Sequence, residues 1–204
     1  MINIVLLVAT IGLIIILALA TKRHGRLQDA KNRRFLEEEQ AANSARKREI
    51  EPELYFEANL ELLPHIPESD PHKVLRASRR TMIRFAEPLS NVELKKMYGV
   101  AQLESITLYE ENFHDFLKAL GEWAKALREA GDTNGALQVL AYAIGLGSEF
   151  RGAYKLAAEI FSERNDLRSL EQLLQAAQDN HFNDKAVQEG ILTFIEEKTR
   201  ELGQ

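Results

Sequence analysis

Residues 117–150 read LKALGEWAKALREAGDTNGALQVLAYAIGLGSEF, and residues 151–184 read RGAYKLAAEIFSERNDLRSLEQLLQAAQDNHFND. The two stretches align without a gap, and we call the shift from Leu117 to Arg151 the repeat offset. Counterparts of similar character are Ala124 and Ala158, Leu127 and Phe161, Gly131-Asp132 and Asn165-Asp166, Val139-Leu140 and Leu173-Leu174, and Ala143 and Ala177. Such self-similarity at a fixed offset predicts one supersecondary unit that is present twice.

Each copy has the features of two helices joined by a turn. Gly131-Asp132 and Asn165-Asp166 mark the turn, since glycine and asparagine tolerate the left-handed conformation that ends a helix. All five prolines of the chain lie between positions 52 and 88, so residues 89–204 are free to form long helices. Runs that alternate Val, Ile and Thr with polar residues are missing, and the predicted class is therefore all-α.

The repeated stretch resembles the tetratricopeptide repeat (TPR) family, whose period is about 34 residues with two helices per repeat. That family has a small residue in the middle of its first helix, here Ala124 and Ala158, followed by a Gly-Asp turn. The sequence departs from the family where Ser148 and Phe182 replace the closing proline, and where Trp123 occupies a position that is usually Leu. The resemblance implies antiparallel α-hairpins stacked into a right-handed helical array. An array of unrelated α-hairpins is the alternative.

The resemblance also implies a binding surface. In TPR proteins the first helix of each repeat lines a concave surface that binds extended peptides or partner helices. The corresponding positions here are Lys118, Gly121, Lys125, Arg128, Gly152, Lys155, Glu159 and Ser162. Four of these eight side chains are basic within an acidic domain, which indicates a partner with carboxylates, such as an acidic peptide or a C-terminus. The simpler alternative is a set of solvated lysines and arginines without a partner.

Segments on both sides of the repeats supply what two repeats alone lack for stability. Upstream, helices over 71–86 and 91–106 predict an atypical hairpin. Downstream, a helix over 184–202 has one apolar and one charged face, as a terminal cap helix does. The predicted repeat domain therefore spans residues 71–204.

Two details concern the start of this domain. Ser90 or Asn91 is expected to cap the helix over 91–106. Gly99 falls inside that helix, where it is expected to permit the close approach of another helix. Before the domain, the Pro-punctuated residues 51–70 predict a linker with one short helix.

The N-terminus carries a signal for a membrane. The run from Ile2 to Ala20 has no charged side chain. A helix of that length is about 28 Å long at ~1.5 Å per residue, close to the hydrocarbon thickness of a bilayer. The basic residues Lys22, Arg23 and Arg26 follow directly. Because basic flanks stay cytoplasmic, residues 1–21 predict a single-pass anchor in the cell membrane, with its N-terminus outside and the C-terminal domain in the cytoplasm.

A cleaved signal peptide is the alternative to this anchor. Ala18-Leu19-Ala20 resembles a secretory cleavage site. Against cleavage stand the lack of Lys or Arg before the apolar run and the basic cluster after it. Cleavage would predict an extracytoplasmic TPR-like module that works in envelope assembly.

Charge divides the rest of the chain. Residues 21–48 hold nine basic and four acidic side chains, whereas residues 49–204 hold 17 basic and 27 acidic ones, a balance of −10. Residues 22–50 therefore predict a basic juxtamembrane stalk, which is either solvated on all sides or attracted to anionic headgroups. The acidic domain argues against nucleic-acid binding, which needs phosphate neutralisation.

The sequence contains no catalytic constellation. It has no cysteine, which excludes thiolate zinc sites, Fe–S clusters and a cysteine nucleophile. Glu111 and His114 form one E-x-x-H pair, but a di-iron bundle needs two such pairs, so an ordinary solvated pair is expected. Trp123 shares a helical face with Phe116 and Leu120 and is expected in the core. No enzyme, metal or cofactor is predicted.

These observations together predict a membrane-anchored TPR-like scaffold or adaptor. It would bind a protein or peptide partner at the cytoplasmic face of the membrane. An enzyme of an unrecognised type is a third hypothesis, which a deep polar pocket with perturbed carboxylates or histidines would favour.

Overall fold

Helices account for almost all regular structure in the computed structural model, which describes residues 28, 31–65 and 73–203. The bounds of the eight α-helices in these residues are α1 (31–43), α2 (Lys73–Ser78), α3 (Asn91–Tyr98), α4 (Val100–Glu129), α5 (Thr133–Gly145), α6 (Arg151–Glu163), α7 (Leu167–Asp179) and α8 (Lys185–Leu202). The described part of the chain contains no strand, only one isolated bridge. The predicted all-α class is confirmed.

Contacts divide the chain into two compact units. The first unit comprises Met1–Glu49 and Ser90–Leu103, and the second unit comprises Ile50–Leu89 and Glu104–Gln204. Both sequence repeats lie in the second unit. The candidate site is therefore built by the second unit alone.

Most helix bounds of the repeated stretches recur at the repeat offset, whereas α4 begins at Val100, well before its first repeat. The starts of α5 and α7, Thr133 and Leu167, are counterparts in the alignment, and so are the ends of α4 and α6, Glu129 and Glu163. The start of α8, Lys185, follows the start of α6 by the same offset. The register of the sequence alignment is thus also the register of the helix bounds.

The turn after α4 and the turn after α6 have the same backbone. Gly131 has φ +88° and Asn165 has φ +53°, so both residues adopt the left-handed conformation. In the first turn the amide of Asp132 donates to Leu127 O at 2.9 Å. The counterparts of these two groups in the second repeat form the same bond, also at 2.9 Å. Such a closure satisfies carbonyls that a helix end leaves without a partner.

Aspartates cap the two helices that follow these turns. Asp132 accepts a hydrogen bond from the amide of Gly135 at 2.8 Å, and Asp166 accepts one from the amide of Ser169 at 3.0 Å. The Ser169 hydroxyl also donates to Asp166 at 2.7 Å. The two hydrogen bonds from Ser169, the hydroxyl first, lower the pKa of the Asp166 carboxyl. Each cap satisfies an amide of the first helical turn.

The core of the second unit repeats as well. Buried counterparts at the repeat offset are Leu120 and Tyr154, Ala124 and Ala158, Ala136 and Leu170, Val139 and Leu173, and Ala143 and Ala177. Trp123 lies in the same core, as its helical face predicted. α8 buries Ile191 and Ile195 and packs on α6 and α7. This apolar burial is the main stabilising term of such a domain.

The helix predicted over 71–86 is wrong, because α2 ends at Ser78. The following residues bond to the linker instead: the amide of Phe56 donates to Met82 O, and the amide of Arg84 donates to Leu54 O, each at 2.9 Å. These partners are distant in sequence, so the main chain of residues 82–84 is not free for helical bonds.

The linker itself forms two 3-10 helices, Pro52–Leu54 and Leu60–Leu62, rather than one short helix. It is tied to α5 by two hydrogen bonds. Gln138 donates to Leu62 O at 3.0 Å, and the amide of Asn59 donates to the Tyr142 hydroxyl at 3.0 Å. Residues 66–72 lie outside the described residues.

The helix predicted over 91–106 is interrupted at Gly99, and its second part does not end near 106, because α4 continues to Glu129. Ser90, one of the two predicted capping residues, caps α3, and Glu93 completes a capping box. Gly99 then has φ 80° and ψ 158°, a combination that only glycine adopts readily. A Cβ at Gly99 would lie 2.9 Å from the backbone of Arg46 and Lys47. The close approach is therefore made by a non-helical segment of the first unit, not by another helix.

None of the helices in the described residues is long and apolar enough to cross a bilayer. The predicted anchor over residues 1–21 lies outside the described residues, and so do the adjacent Lys22, Arg23 and Arg26. The described residues therefore begin within the predicted stalk.

Candidate functional site

A groove between α4 and α6 brings together most of the residues that the resemblance implied. It is lined by Lys118, Gly121, Glu122 and Lys125 of α4, by Gly152, Ala153, Lys155, Leu156 and Glu159 of α6, and by Phe150 just before α6. Its volume is about 410 Å³. We name this feature the α4–α6 groove. Of the eight implied positions, it contains all but Arg128 and Ser162.

Two glycines form the open floor of the groove. A Cβ at Gly121 or Gly152 would meet no atom within 4 Å, so neither glycine is needed for helix packing. A glycine inside a helix costs ~1 kcal/mol relative to alanine. Both positions therefore carry this cost without a packing reason. What they provide is backbone that a ligand can approach closely, next to the apolar Phe150 and Leu156.

Three lysines surround this floor. Lys118 is exposed and forms no ion pair within the described residues. Lys125 is 3.8 Å from Glu129, a loose contact between two well-exposed side chains. The ammonium of Lys155 lies 4.7 Å from the ring centre of Phe194 of α8, a cation–π contact with a residue that does not line the groove. Three lysines therefore line the groove.

The acidic side chains of the groove offset this charge only in part. Lys73 donates to Glu122 at 2.6 Å, and this hydrogen bond and charge lower the pKa of the Glu122 carboxyl. Glu122 is thereby paired from outside the groove. Glu159 is exposed and acts electrostatically on Lys198 of α8. The net character of the groove is positive.

Arg128 does not line the groove and contacts helix ends instead. It donates to the Thr133 hydroxyl at 2.8 Å and forms a charged hydrogen bond with Glu163. Its side chain therefore joins the end of α4 to the start of α5 and the end of α6.

The sequence did not indicate the basic surface next to the groove. Lys73 and Arg76 of α2, together with Arg80, line a cleft of about 250 Å³ whose opposite wall includes Lys118 and Glu122. Arg80 is paired with Asp115 at 2.8 Å. The spacing of Lys73 and Arg76 places them on one helical face, but α2 precedes the repeats and the resemblance does not reach it. The positive surface therefore extends beyond the groove.

A smaller polar cleft of about 130 Å³ lies elsewhere in the second unit. Its titratable side chains are Arg84, Glu87, Glu110, His114, Glu149 and His181. Burial raises the pKa of the Glu110 carboxyl, while the charge of His114 lowers it in part. Glu149 accepts two hydrogen bonds of 2.9 Å from Asn183 and so holds the loop before α8.

This cleft does not contain the predicted E-x-x-H pair, because Glu111 is exposed and lies outside it. The half-buried carboxyl next to His114 is instead Glu110. Within residues 28, 31–65 and 73–203, no three His, Asp or Glu side chains are grouped so that they could hold a metal ion.

Comparison with known protein families, with curated proteins and with solved structures gives no match. The class of protein is therefore defined by its own features. It is an all-α protein whose helix bounds, turns and caps recur at the repeat offset, with a positive groove between α4 and α6.

Proposed function

We propose that this chain is a membrane-anchored scaffold with a TPR-like domain that binds an acidic, extended peptide of a partner protein. The peptide would lie in the α4–α6 groove at the cytoplasmic face of the membrane. The observation that carries this proposal is the groove itself, because positions from two sequence repeats line one positive channel with an apolar floor.

The TPR-like assignment draws support from the repeated backbone. The left-handed residue, the aspartate cap and the small core residues all recur at the repeat offset. A period of about 34 residues with two helices per repeat is typical of this family. The first helices of the two repeats are α4 and α6, and they are the helices that line the groove.

The groove suits a peptide with carboxylates and one apolar side chain. Lys118, Lys125 and Lys155 would attract and orient the carboxylates. The peptide backbone would approach the floor at Gly121 and Gly152, where no side chain stands in the way. An apolar side chain of the peptide would contact Phe150 and Leu156. Glu159 would disfavour a second carboxylate at its end and so help to set the direction of the peptide.

The anchor would make a groove of modest affinity effective. A domain held at a membrane meets membrane-bound partners at a high effective concentration, so that modest affinity suffices. Scaffolding at the cytoplasmic face therefore needs no catalytic group.

Binding of defined peptides tests the groove. The full chain in detergent micelles would be titrated into fluorescent octapeptides of Asp and Glu around a central Leu, with free or amidated C-termini, and anisotropy would be measured. Replacing Lys118, Lys125 or Lys155 by Glu should weaken binding about tenfold each, equivalent to ~1.4 kcal/mol. The control Lys185→Glu, an exposed residue of α8 outside the groove, should change nothing.

Peptides with a free and with an amidated C-terminus distinguish two forms of the proposal. Equal affinity for free and amidated peptides would indicate recognition of acidic side chains, whereas loss on amidation would indicate capture of the C-terminus. Equal weakening by the Lys185 control, or binding that the groove variants leave intact, would overturn the assignment to this groove.

A further inference from the structure

The first half of helix α1 exposes two large apolar side chains, with exposed cations before them and the exposed Glu37 and Glu38 after them. Phe35 is 57% and Leu36 is 63% exposed, the largest exposed fractions among the large apolar residues that the structure describes. Lys31, Arg33 and Arg34 precede them on the same helix and are also exposed. Exposed aromatic and aliphatic side chains next to basic ones are typical of helices that lie at a membrane interface.

The second half of α1 is held by the first unit. Ala42 is fully buried. Glu39 forms a 2.8 Å ion pair with Lys95 of α3, and both side chains are largely shielded from water. Phe35 precedes Ala42 by two helical turns, so the two share a helical face. One face of α1 therefore contacts protein near its C-terminal end and exposes Phe35 nearer its N-terminal end.

We propose that the N-terminal half of α1 docks on a bilayer surface that contains anionic lipids. Lys31, Arg33 and Arg34 contact the headgroups, and Phe35 and Leu36 insert at the level of the glycerol backbone. The inference rests on the proposed function only for the anchor, which delivers α1 to the membrane. The surface contact itself depends on residues within α1.

The position of α1 in the chain supports a lipid partner. Lys31 follows Ala20, the end of the apolar run, by eleven positions, and even a fully extended segment of that length spans only ~40 Å. With the apolar run in the bilayer, α1 cannot move farther than this from the surface. A second weak membrane contact within such reach is strengthened by its effective concentration.

Charge also favours a lipid surface over a second copy of this chain. The first unit has 11 basic and 6 acidic side chains, a balance of +5, whereas the second unit has 15 and 25, a balance of −10. Parallel pairing of two α1 helices through Phe35 and Leu36 would place like charges side by side: the carboxylates Glu37 and Glu38, and the cations Lys31, Arg33 and Arg34. An anionic surface instead compensates these cations.

A single fluorescent label tests the contact, since the chain has no cysteine of its own. The full chain with Leu36→Cys would carry an environment-sensitive NBD dye and be reconstituted into vesicles of phosphatidylcholine, with or without about 30% phosphatidylserine, the kind of anionic lipid that attracts basic segments. We expect a blue shift and a severalfold rise in emission on the anionic vesicles only. A label at the exposed Leu108 of α4 should not respond.

Charge variants identify the cause of the response. Arg33→Glu with Arg34→Glu should abolish the emission rise at position 36, and Lys96→Glu, an exposed residue of α3 in the same unit, should preserve it. Emission that stays unchanged on anionic vesicles, in protein that floats with them, would overturn the proposal. An equal rise on neutral vesicles that grows with the protein-to-lipid ratio would also overturn it and indicate pairing of two copies.

The same vesicles test the anchor independently of α1. Flotation with neutral vesicles measures the apolar run alone. A chain that fails to float with neutral vesicles but shows the anionic response at position 36 contradicts the anchor and supports the surface helix.

Discussion

At the scale of single residues, replacing a glycine of the α4–α6 groove should change stability and peptide binding in opposite directions. Gly121→Leu should raise the free energy of unfolding by up to ~0.8 kcal/mol, because leucine is the better helix former and the site around Gly121 is open. The same side chain fills the groove floor and should abolish binding of the acidic octapeptides. Urea unfolding and peptide anisotropy measure the two effects. A destabilised variant would show that Gly121 is needed for packing.

Two glycines with positive φ differ in their surroundings and form a matched pair. Gly131→Ala should cost ~1–2 kcal/mol, the strain of an L-residue in the left-handed region, because no atom lies within 4 Å of its Cβ. Gly99→Ala should cost more, since its Cβ would also overlap the backbone of Arg46 and Lys47 at 2.9 Å. Urea unfolding followed by far-UV circular dichroism measures both. Equal losses would contradict the close approach at Gly99.

The half-buried Glu110 is expected to make the stability of the protein depend on pH. Burial raises the pKa of its carboxyl above the ordinary value of 4.5, so the folded state favours the protonated form. The stability that this provides is present below pH 4.5 and is lost as pH rises through the folded pKa. Glu110→Gln should therefore stabilise the protein at pH 7 and not at pH 4.

Unfolding free energies at the two pH values test this prediction. The control is Glu111→Gln, because Glu111 is exposed on the same helix, and its effect should stay within about 0.5 kcal/mol at either pH. A pH-independent gain at Glu110 would mean that helix propensity, and not the buried charge, is responsible.

At the scale of elements, the equivalent caps of α5 and α7 should have similar energies. Asp132→Ala and Asp166→Ala should each cost ~1 kcal/mol, because each removes the acceptor for an amide of the first turn. The two caps share no partner, so the double variant should lose the sum within ~0.5 kcal/mol. Thermal or urea unfolding provides the values. A much larger loss in the double variant would show that the two helix starts are coupled.

Local signals were sufficient for α5, α6, α7 and α8. The aspartates that cap α5, α7 and α8 lie within the repeated stretches, whereas α6 begins after Phe150 without a side-chain cap. The start of the second unit was different. Residues 82–84 bond to the linker at Leu54 and Phe56, and a pattern read along one segment cannot reveal a partner so distant in sequence. The prediction that Gly99 lies inside a helix failed for a related reason, because a close approach to residues 46–47 accompanies its non-helical conformation.

The same distinction applies to the candidate site. Lys118, Lys125 and Lys155 follow from positions within a repeat and line one groove. Arg128 occupies an equally suitable position in the sequence, but it bonds to Glu163 in the other repeat. The cations of α2 were missed because α2 lies outside the repeats. Position within a repeat thus predicted which face a residue lies on and not which partner it has.

At the scale of the whole molecule, charge separates the two units. The first unit is positive and the second is negative, although the chain as a whole is only −5. Anionic cytoplasmic leaflets attract the first kind of surface and repel the second. A chain anchored by residues 1–21 with its basic unit next to the membrane would satisfy both tendencies. The opposite topology would place the basic residues on the side that the positive-inside rule disfavours.

Topology is therefore the prediction on which the cytoplasmic scaffold depends. Glu171 is exposed on α7, and Glu171→Cys would be the single thiol of the chain. A membrane-impermeant maleimide should label it only after cells that express the protein are opened, and the labelled chain should pellet with membranes at its full mass. Both results follow if the apolar run is retained and its basic flank remains inside.

The opposite result has an equally definite meaning. Labelling of intact cells, or a mature chain that begins at Thr21, would show that the apolar run acted as a signal peptide. The groove would then face partners outside the cytoplasm, and the envelope-assembly alternative would replace the scaffold. Peptide binding to Lys118, Lys125 and Lys155 would be unaffected by that outcome, because the groove is built by the second unit alone. The topology measurement thus decides where the groove works, and the peptide measurement decides what it binds.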